Sequence, residues 1–233
     1  MTHLRRSLAP GWWSLEKGYS WTVRPRPGPH GARESLPLGL VLRNLLGYVS
    51  TLEEARKVLG AGQVKVDGKV RRDYKYPVGA MDILELVPTG ERFRMLPDPV
   101  KFLRPAPLGQ EDAVVKVRRI ENKTVVKGGL VQLNLSDGYN VLVNDGKEYE
   151  TLGSLFISLT DGKIVDYVPM KPGSYAIIVS GSNAGRHGVL KSIITTMRRR
   201  EAIASIEGDG TEYRTVLDHV LMIGRDAPLI KVN

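Results

Sequence analysis

The chain has 233 residues, of which 34 are Lys or Arg and 25 are Asp or Glu, so its formal net charge is +9. This length allows two or three small domains, and a balance this basic favours a polyanionic partner such as nucleic acid. The sequence contains no cysteine, which excludes disulfides, Cys-ligated zinc and a thiol nucleophile. It has no apolar run long enough to span a membrane and no secretory signal, so we expect a cytoplasmic protein without a membrane partner.

Residues 1–34 form a basic, proline-containing extension that is predicted to be irregular. Its basic side chains are interleaved with four large aromatic ones, Trp12, Trp13, Tyr19 and Trp21. A flexible tail is one interpretation, but exposed indoles are costly, which favours a segment that becomes ordered on RNA or on the rest of the protein. The rigid Arg24-Pro25-Arg26-Pro27 backbone would present two guanidinium groups. With only three Phe in the chain, a platform of stacked aromatics for single strands is not indicated.

Two short helices are predicted between residues 38 and 60. In the first, apolar residues recur at a spacing of three to four, at Leu38, Val41, Leu42, Leu45 and Leu46. The second runs from Leu52 to Leu59, where Thr51 and Glu54 have the spacing of a capping box. Gly60 and Gly62 supply its stop signal.

A β-hairpin is predicted next, because Asp67-Gly68 lies between two short runs with strand character. Alternation places Val64, Val66 and Val70 on one side and Lys65 on the other, while the remaining basic residues cluster near the turn. These are Lys69, Arg71 and Arg72. Two helices and a basic hairpin make a compact positive surface of the kind that binds structured RNA through phosphates and 2′-hydroxyls.

From about residue 91 the sequence favours antiparallel strands. Asp-Gly dipeptides, which are typical of hairpin turns, begin at residues 67, 137, 145, 161 and 209. The candidate strands are Val114–Val117, Leu130–Leu135, Tyr139–Val143, Ser154–Leu159 and Ile164–Val168. Their spacing suggests small barrels or sheets, and whether the central strands form a barrel of their own stays open.

The stretch from Gly173 to Ser192 is predicted to be a strand, a glycine-rich loop and a second strand beginning at Val189. Three glycines, Gly181, Gly185 and Gly188, would permit a tight loop with positive φ. That loop holds Asn183, Arg186 and His187, which suit phosphate and base-edge contacts. The alternative is that the glycines merely turn a corner of a barrel.

Arg198, Arg199 and Arg200 are consecutive, so in an extended strand they cannot all lie on one face. They would either clamp phosphates or discourage strand pairing at a charged edge, and the sequence leaves both interpretations open.

Several of these segments together resemble a known family. The order of residues 38–86, with Ser-Thr-Leu-Glu-Glu-Ala-Arg-Lys-Val-Leu-Gly-Ala-Gly and then Val-Lys-Val-Asp-Gly-Lys-Val, resembles the RNA-binding domain named after bacterial small-subunit ribosomal protein four. The flanks, Arg24 to His30 and Tyr76 to Ile83, are similar to the unrelated archaeal and eukaryotic (e-type) ribosomal protein of that number. The glycine loop resembles the KOW motif of small SH3-like barrels. One departure is Leu52, which stands where many relatives of the small domain have an arginine that contacts RNA.

The resemblance implies a structural role in the small ribosomal subunit, with small-subunit rRNA and neighbouring ribosomal proteins as partners and no homo-oligomer. It implies an α+β, mainly β fold in four parts: an extension (1–34), a small RNA-binding domain (35–90), a central β domain (91–170) and a KOW SH3-like barrel (171–233). The residues expected to bind rRNA are Arg24, Arg26, His30, Arg33, Arg43, Arg56, Lys57, Lys65, Lys69, Arg71, Arg72, Asn183, Arg186 and His187.

No catalytic, cofactor or metal site is predicted. The four histidines lack metal-ligand spacing, and neither a Gly-x-Ser-x-Gly elbow nor a His-Glu-x-x-His motif occurs. Pseudouridine synthases carry the same small domain but need an Arg-Leu-Asp signature, and here Val216 precedes Leu217-Asp218. The alternatives that stay open are an RNA-modifying or RNA-chaperone protein and a KOW-type transcription elongation accessory.

Overall fold

The computed structural model describes residues 3–13, 15, 17–109, 112–194, 202–208 and 210–232. The chain divides into two compact units. Unit 1 comprises residues 1–96 and 103–113, and unit 2 comprises residues 97–102 and 114–233. The three arginines Arg198, Arg199 and Arg200 lie outside the described residues.

The N-terminal extension is ordered on the body of unit 1. Strands β1 (His3–Arg5) and β2 (Trp21–Val23) pair antiparallel, so the prediction of an irregular segment is wrong for these residues. Trp13 is only 4% exposed and Val23 only 5%. Because these side chains are removed from water within the unit, burial of apolar surface holds the extension in place.

Beyond the extension, unit 1 contains two short helical segments and most of a five-stranded sheet. The first segment is α1 (Leu38–Leu40) continued by a π-helical turn (Val41–Leu45), and the second is α2 (Leu52–Gly60). The strands are β3 (Leu36–Pro37), β4 (Val64–Val66), β5 (Lys69–Val70), β6 (Pro77–Val78), β7 (Ile83–Leu86), β8 (Arg92–Asp98) and β9 (Phe102–Pro107). Strands β3 and β6 pair with each other, and the sheet has the order β5-β4-β7-β8-β9.

The local signals for α2 and the following hairpin are confirmed. Thr51 Oγ1 accepts a hydrogen bond from the Glu54 N–H at 3.2 Å, and the Glu54 carboxylate accepts from the Thr51 N–H in return. Asp67 and Gly68 both have positive φ, 51° and 74°, as a two-residue hairpin turn of the I′ type requires.

The face assigned to Val70 was wrong. Lys65 pairs directly with Val70 across the hairpin, and directly paired residues point to the same face of a sheet. Val70 is therefore 46% exposed beside Lys65, whereas Val64 and Val66 are fully buried on the other face. The two-residue turn fixes this register, which alternation along one strand does not reveal.

Unit 2 is built from two five-stranded antiparallel sheets. The first has the order β12-β11-β10-β13-β14, from β10 (Val115–Val125), β11 (Val131–Leu135), β12 (Asn140–Val143), β13 (Ser154–Ser158) and β14 (Ile164–Val168). The second has the order β18-β17-β16-β15-β19, from β15 (Tyr175–Ile178), β16 (His187–Ile194), β17 (Ile203–Gly208), β18 (Thr211–Val216) and β19 (Val220–Gly224). All pairings of these strands are antiparallel, as the Asp-Gly pattern predicts.

The predicted strands of the first sheet are present, with one lengthened. Strand β10 extends well past Val117 because the register shifts between Ile120 and Asn122, and this bulge lets one strand pair with both β13 and β11. The dipeptides beginning at 137 and 161 lie between paired strands, whereas Asp145-Gly146 does not. Asp209, which begins the last dipeptide, lies outside the described residues. The fold is thus mainly β with few helices. Across the described ranges, no helix is long and apolar enough to cross a membrane.

Candidate nucleic-acid interface

A short stretch after the hairpin gathers basic and aromatic side chains on the surface of unit 1. It comprises residues 71–76, and we call it the tyrosine segment after Tyr74 and Tyr76. The guanidinium of Arg71 lies 4.4 Å from the centre of the Tyr76 ring, and that of Arg56, on α2, lies 4.3 Å from the centre of the Tyr74 ring. Arg56 Nη2 also donates a hydrogen bond to the Tyr74 hydroxyl at 2.9 Å. Stacking on a ring fixes a guanidinium while leaving N–H groups free to donate.

The extension runs alongside this segment. The Arg26 N–H donates to the Lys75 carbonyl at 2.9 Å, and Arg26 Nη1 lies 2.9 Å from Asp73 Oδ2. Lys75 in turn places its ammonium 5.4 Å from the centre of the Tyr74 ring. Three elements that are separate in sequence, the extension, α2 and the tyrosine segment, therefore contribute cations to one surface.

Four of the basic residues in unit 1 that were predicted to bind rRNA are exposed. They are Arg24, Arg33, Lys69 and Arg72. Within the described part of the chain, their side chains make no ion pair or hydrogen bond. Cations of this kind are available to phosphates without breaking an internal contact.

Three further predicted cations have partners. Lys57 lies 3.3 Å from Glu53 with both side chains about three-quarters exposed, so this pair is weak and leaves the ammonium accessible. Lys65 lies 3.5 Å from Glu85 and is only 33% exposed. Arg43 donates through Nε to Asn44 at 2.7 Å, which orients its guanidinium without neutralising it.

His30 has an internal role in this structure. Its Nε2 lies 2.8 Å from Oδ1 of Asp82, whose side chain is fully buried, and the histidine itself is 15% exposed. The ring covers Gly79, where an added Cβ would come within 2.4 Å of His30 Cγ. This ring is packed against the protein, so it acts as an anchor of the extension.

The glycine loop of unit 2 has a different boundary from the one predicted. Gly181 and Gly185 have positive φ, 87° and 84°, as expected, but β16 begins at His187. Gly188 therefore lies in a strand, where an added Cβ would come within 2.0 Å of the Glu207 carbonyl oxygen. Glycine is therefore required at position 188 because β17 approaches closely, and not because the backbone has a positive φ there.

The polar residues of this loop are held near its surface. Asn183 Nδ2 donates to the Arg214 carbonyl at 3.4 Å, and the guanidinium of the exposed Arg186 lies 5.6 Å from the centre of the Tyr213 ring. His187 Nδ1 is 2.9 Å from the Tyr175 hydroxyl. Of the three, Arg186 is the group most accessible to a ligand.

Two basic residues of unit 2 face inward and cannot serve a ligand. Lys116 and Arg118 are 1% and 6% exposed, and both contact the Asp137 carboxylate, at 3.3 and 2.5 Å. Burial by itself would raise the pKa of Asp137, because it disfavours the charged form. Attraction to the two cations, together with hydrogen bonds from Arg118 and the Tyr139 N–H, outweighs burial, so the pKa of Asp137 is lowered. This cluster stabilises the fold and does not add to the surface charge.

Comparison with known proteins extends over the whole chain. The model of ribosomal family S4e matches residues 89–164, the S4 domain matches residues 41–84, and the RS4NT domain matches residues 2–33. Small ribosomal subunit protein eS4 of Caldivirga maquilingensis is 53% identical over 100% of both chains, and that of Pyrobaculum aerophilum is 44% identical over 100% of both. This chain belongs to the S4e family.

A solved structure agrees with S4e membership. The crystal structure of the 30S ribosomal protein S4e from Thermoplasma acidophilum superposes with a TM-score of 0.71 at 30% identity, covering 82% of this chain and 95% of that one. The resemblance to the e-type ribosomal protein family and to its small RNA-binding domain is thereby confirmed. The expectation that the chain is not an enzyme agrees with a family of ribosomal proteins.

Sequence reasoning about this S4e protein missed Tyr74, Lys75 and Tyr76. The signal was present, because Arg-Arg-Asp-Tyr-Lys-Tyr interleaves basic and aromatic residues just as the extension does. The predicted basic surface ended at Arg72, whereas in the structure it continues through Tyr74, Lys75 and Tyr76.

Proposed function

We infer that this protein is a structural constituent of the small ribosomal subunit in the cytoplasm, where it binds and stabilises small-subunit rRNA in translation. The observation that carries this conclusion is identity of 53% with an eS4 protein along the entire length of both chains. The basic surface around the tyrosine segment supports it from the geometry, since stacked guanidiniums and exposed lysines suit contact with RNA phosphates.

The residues proposed to contact rRNA divide between the two units. In unit 1 they are Arg24, Arg26, Arg33, Arg43, Arg56, Lys57, Lys65, Lys69, Arg71 and Arg72, and we add Tyr74, Lys75 and Tyr76. In unit 2 they are Asn183, Arg186 and His187. His30 is proposed to position the extension through Asp82, so that its contribution to rRNA binding is indirect.

The finer architecture is also a proposal. Residues 171–233 would form a KOW barrel of the SH3-like type whose loop carries Arg186, preceded by a central β domain (91–170), a small RNA-binding domain (35–90) and the extension (1–34). The positive φ of Gly181 and Gly185 supports the loop, and the order β18-β17-β16-β15-β19 is compatible with a small barrel. Neighbouring ribosomal proteins would be its other partners, with one copy of the chain at the site.

The two alternatives have less support. An RNA-modifying enzyme needs a catalytic group in a cleft, whereas the relatives named above are small ribosomal subunit proteins eS4. A transcription accessory has no need for the combination of a capped helix, a basic hairpin and a tyrosine segment.

The test is binding of the purified full-length protein to small-subunit rRNA over a series of salt concentrations. If six to ten phosphates are neutralised, the affinity should fall about 10³- to 10⁵-fold between 50 and 200 mM salt. An affinity that does not change with salt would contradict an interface made of phosphate contacts.

A further inference from the structure

A cleft in unit 1 opens between the extension and the two helical segments. Its volume is about 1100 Å³. One wall comes from residues 15 and 18–22 and the other from residues 43–44 and 49–52, and Arg6 also lines the cleft. Ligand sites in proteins occupy about 300–1000 Å³, so this cleft has room for a nucleotide with its phosphate.

The wall formed by the extension presents two exposed aromatic rings. Tyr19 is 76% exposed and Trp21 is 56% exposed, although each carries a large apolar surface that is costly to leave in water. Trp21 is held in place because it pairs with Arg5 across β1 and β2, and the Arg6 N–H donates to the Ser20 carbonyl at 2.9 Å. The rings are therefore presented by a fixed hairpin.

The charge of the cleft is positive. Arg6 and Arg43 contribute two guanidinium groups, while none of the described lining residues is Asp or Glu. Arg5 is not a lining residue, but its guanidinium lies 5.6 Å from the centre of the Trp21 ring. A ligand that fits must combine an anionic group with a flat apolar face.

The N-terminus of α2, at the other wall, is not available to bind an anionic ligand. The N–H groups of Ser50 and Thr51 donate to the Glu54 carboxylate, at 2.8 and 3.3 Å, so the first turn of α2 already has its own anion. The remaining polar groups are the Asn44 side chain, which accepts from Arg43 at 2.7 Å, and the Ser50 hydroxyl. Such groups suit the edge of a base.

We propose that this cleft holds one unstacked base of the small-subunit rRNA, stacked on Trp21 and Tyr19, with the adjoining phosphate between Arg6 and Arg43. Sequence-specific contact with RNA characteristically uses bases that leave the helix and stack on aromatic side chains. A protein neighbour with an acidic segment would pair with the guanidiniums but would leave the two exposed rings without a stacking partner. This inference rests on the proposed function, because it specifies how the protein binds one base of the same rRNA.

The test uses the full-length protein bound to small-subunit rRNA and irradiated at short ultraviolet wavelength, followed by mapping of nucleotide adducts on the peptides. We expect an adduct at Trp21 or Tyr19. Adducts confined to other residues, or crosslinks from these two residues to another protein, would overturn the proposal.

Affinity for the same rRNA provides the second measurement. Trp21→Ala should weaken binding about 5- to 160-fold, the range observed when one base loses its aromatic partner, whereas Trp21→Phe should retain most of the affinity. Tyr48→Ala is the matched control, since Tyr48 is 45% exposed in the same unit but does not line the cleft. Equal affinities for wild type and Trp21→Ala would refute base binding in the cleft without affecting the proposal that the protein binds rRNA. Failure of the wild-type protein to bind rRNA would refute the proposed function itself.

Discussion

Nε2 of His30 lies 2.8 Å from Oδ1 of Asp82, and the other carboxylate oxygen of Asp82 accepts the Gly79 N–H at 3.0 Å. This contact is the last of three at alternate residues of the extension. Arg26 bonds to Lys75, Gly28 packs against Pro77 and His30 covers Gly79. The extension is thus laid along the tyrosine segment and the strand that follows it, which fixes the position of its arginines.

We expect His30→Ala to destabilise unit 1 by about 2–3 kcal/mol, because it leaves the buried Asp82 carboxylate without one of its partners. The measurement is chemical denaturation of the full-length chain. Arg24→Ala is the control, since Arg24 is exposed on the same extension and should alter stability by less than about 0.5 kcal/mol. Equal stabilities of the two variants would show that the His30–Asp82 contact does not anchor the extension.

Alanine substitutions at Arg72 and Arg71 should distinguish a loss of RNA affinity alone from a loss of both affinity and stability. Arg72 is exposed, so Arg72→Ala should weaken rRNA binding and reduce the dependence of log affinity on log salt by about one, with no loss of stability. Arg71→Ala should do the same and also cost about 0.5–1 kcal/mol of stability, since it removes the stacking on Tyr76.

The control for both arginines is Arg225→Ala, because Arg225 is also exposed but lies in unit 2, paired with Asp166 at 2.9 Å. Its loss should leave the salt dependence of rRNA binding unchanged. If Arg72→Ala and Arg225→Ala have the same salt dependence as wild type, the tyrosine segment is not at the interface.

Asp137→Asn should destabilise unit 2 by about 3–5 kcal/mol at neutral pH, because it leaves Lys116 and Arg118 buried without their anion. The pKa of Asp137 is lowered in the folded state, so its contribution is fully present above the ordinary Asp value of about 3.9 and is lost as the pH falls through the folded pKa. The difference in stability between wild type and variant should therefore shrink in acid.

Calorimetric unfolding of both proteins at neutral and acidic pH measures that difference. Asp161→Asn is the matched control, since Asp161 stands in a second Asp-Gly turn but is exposed. A penalty for Asp137→Asn that is as small as that of Asp161→Asn would contradict the buried ion cluster.

Gly188→Ala should destabilise unit 2 by at least about 1–3 kcal/mol, because the new methyl group would meet the Glu207 backbone and force β16 and β17 apart. Gly60→Ala is the opposite case. Gly60 ends α2 with nothing within 4 Å of an added Cβ, so alanine should be neutral or stabilise by up to about 1 kcal/mol. Thermal unfolding compares the two, and a neutral Gly188→Ala would refute the close approach of the strands.

Local features of this fold could be predicted from the sequence because their determinants are a few residues apart. The reciprocal bonds of Thr51 and Glu54, and the positive φ of Asp67 and Gly68, follow from spacing and residue type alone. The face of Val70 could not be predicted from alternation, since it depends on which residue of β4 the turn places opposite.

Contacts between distant segments left no such signal. His30 and Asp82 are 52 residues apart, and nothing in either neighbourhood indicates that they meet. Gly188 was assigned to a loop because glycine can be required either by a positive φ or by the close approach of another strand. Only the pairing of β16 with β17 shows which of the two reasons applies at Gly188. The cleft was likewise missed, because its two walls come from residues 15 and 18–22 and from residues 43–44 and 49–52, which the sequence does not bring together.

As an integral rRNA-binding component of the small ribosomal subunit, this S4e protein should stay with that subunit during fractionation. The most direct measurement is the sedimentation of tagged full-length protein from a native lysate, at moderate salt and after RNase treatment. We expect the protein to migrate with small subunits at moderate salt and to lose this migration after RNase treatment. Migration as free protein at the top of the gradient, with or without RNase, would contradict it.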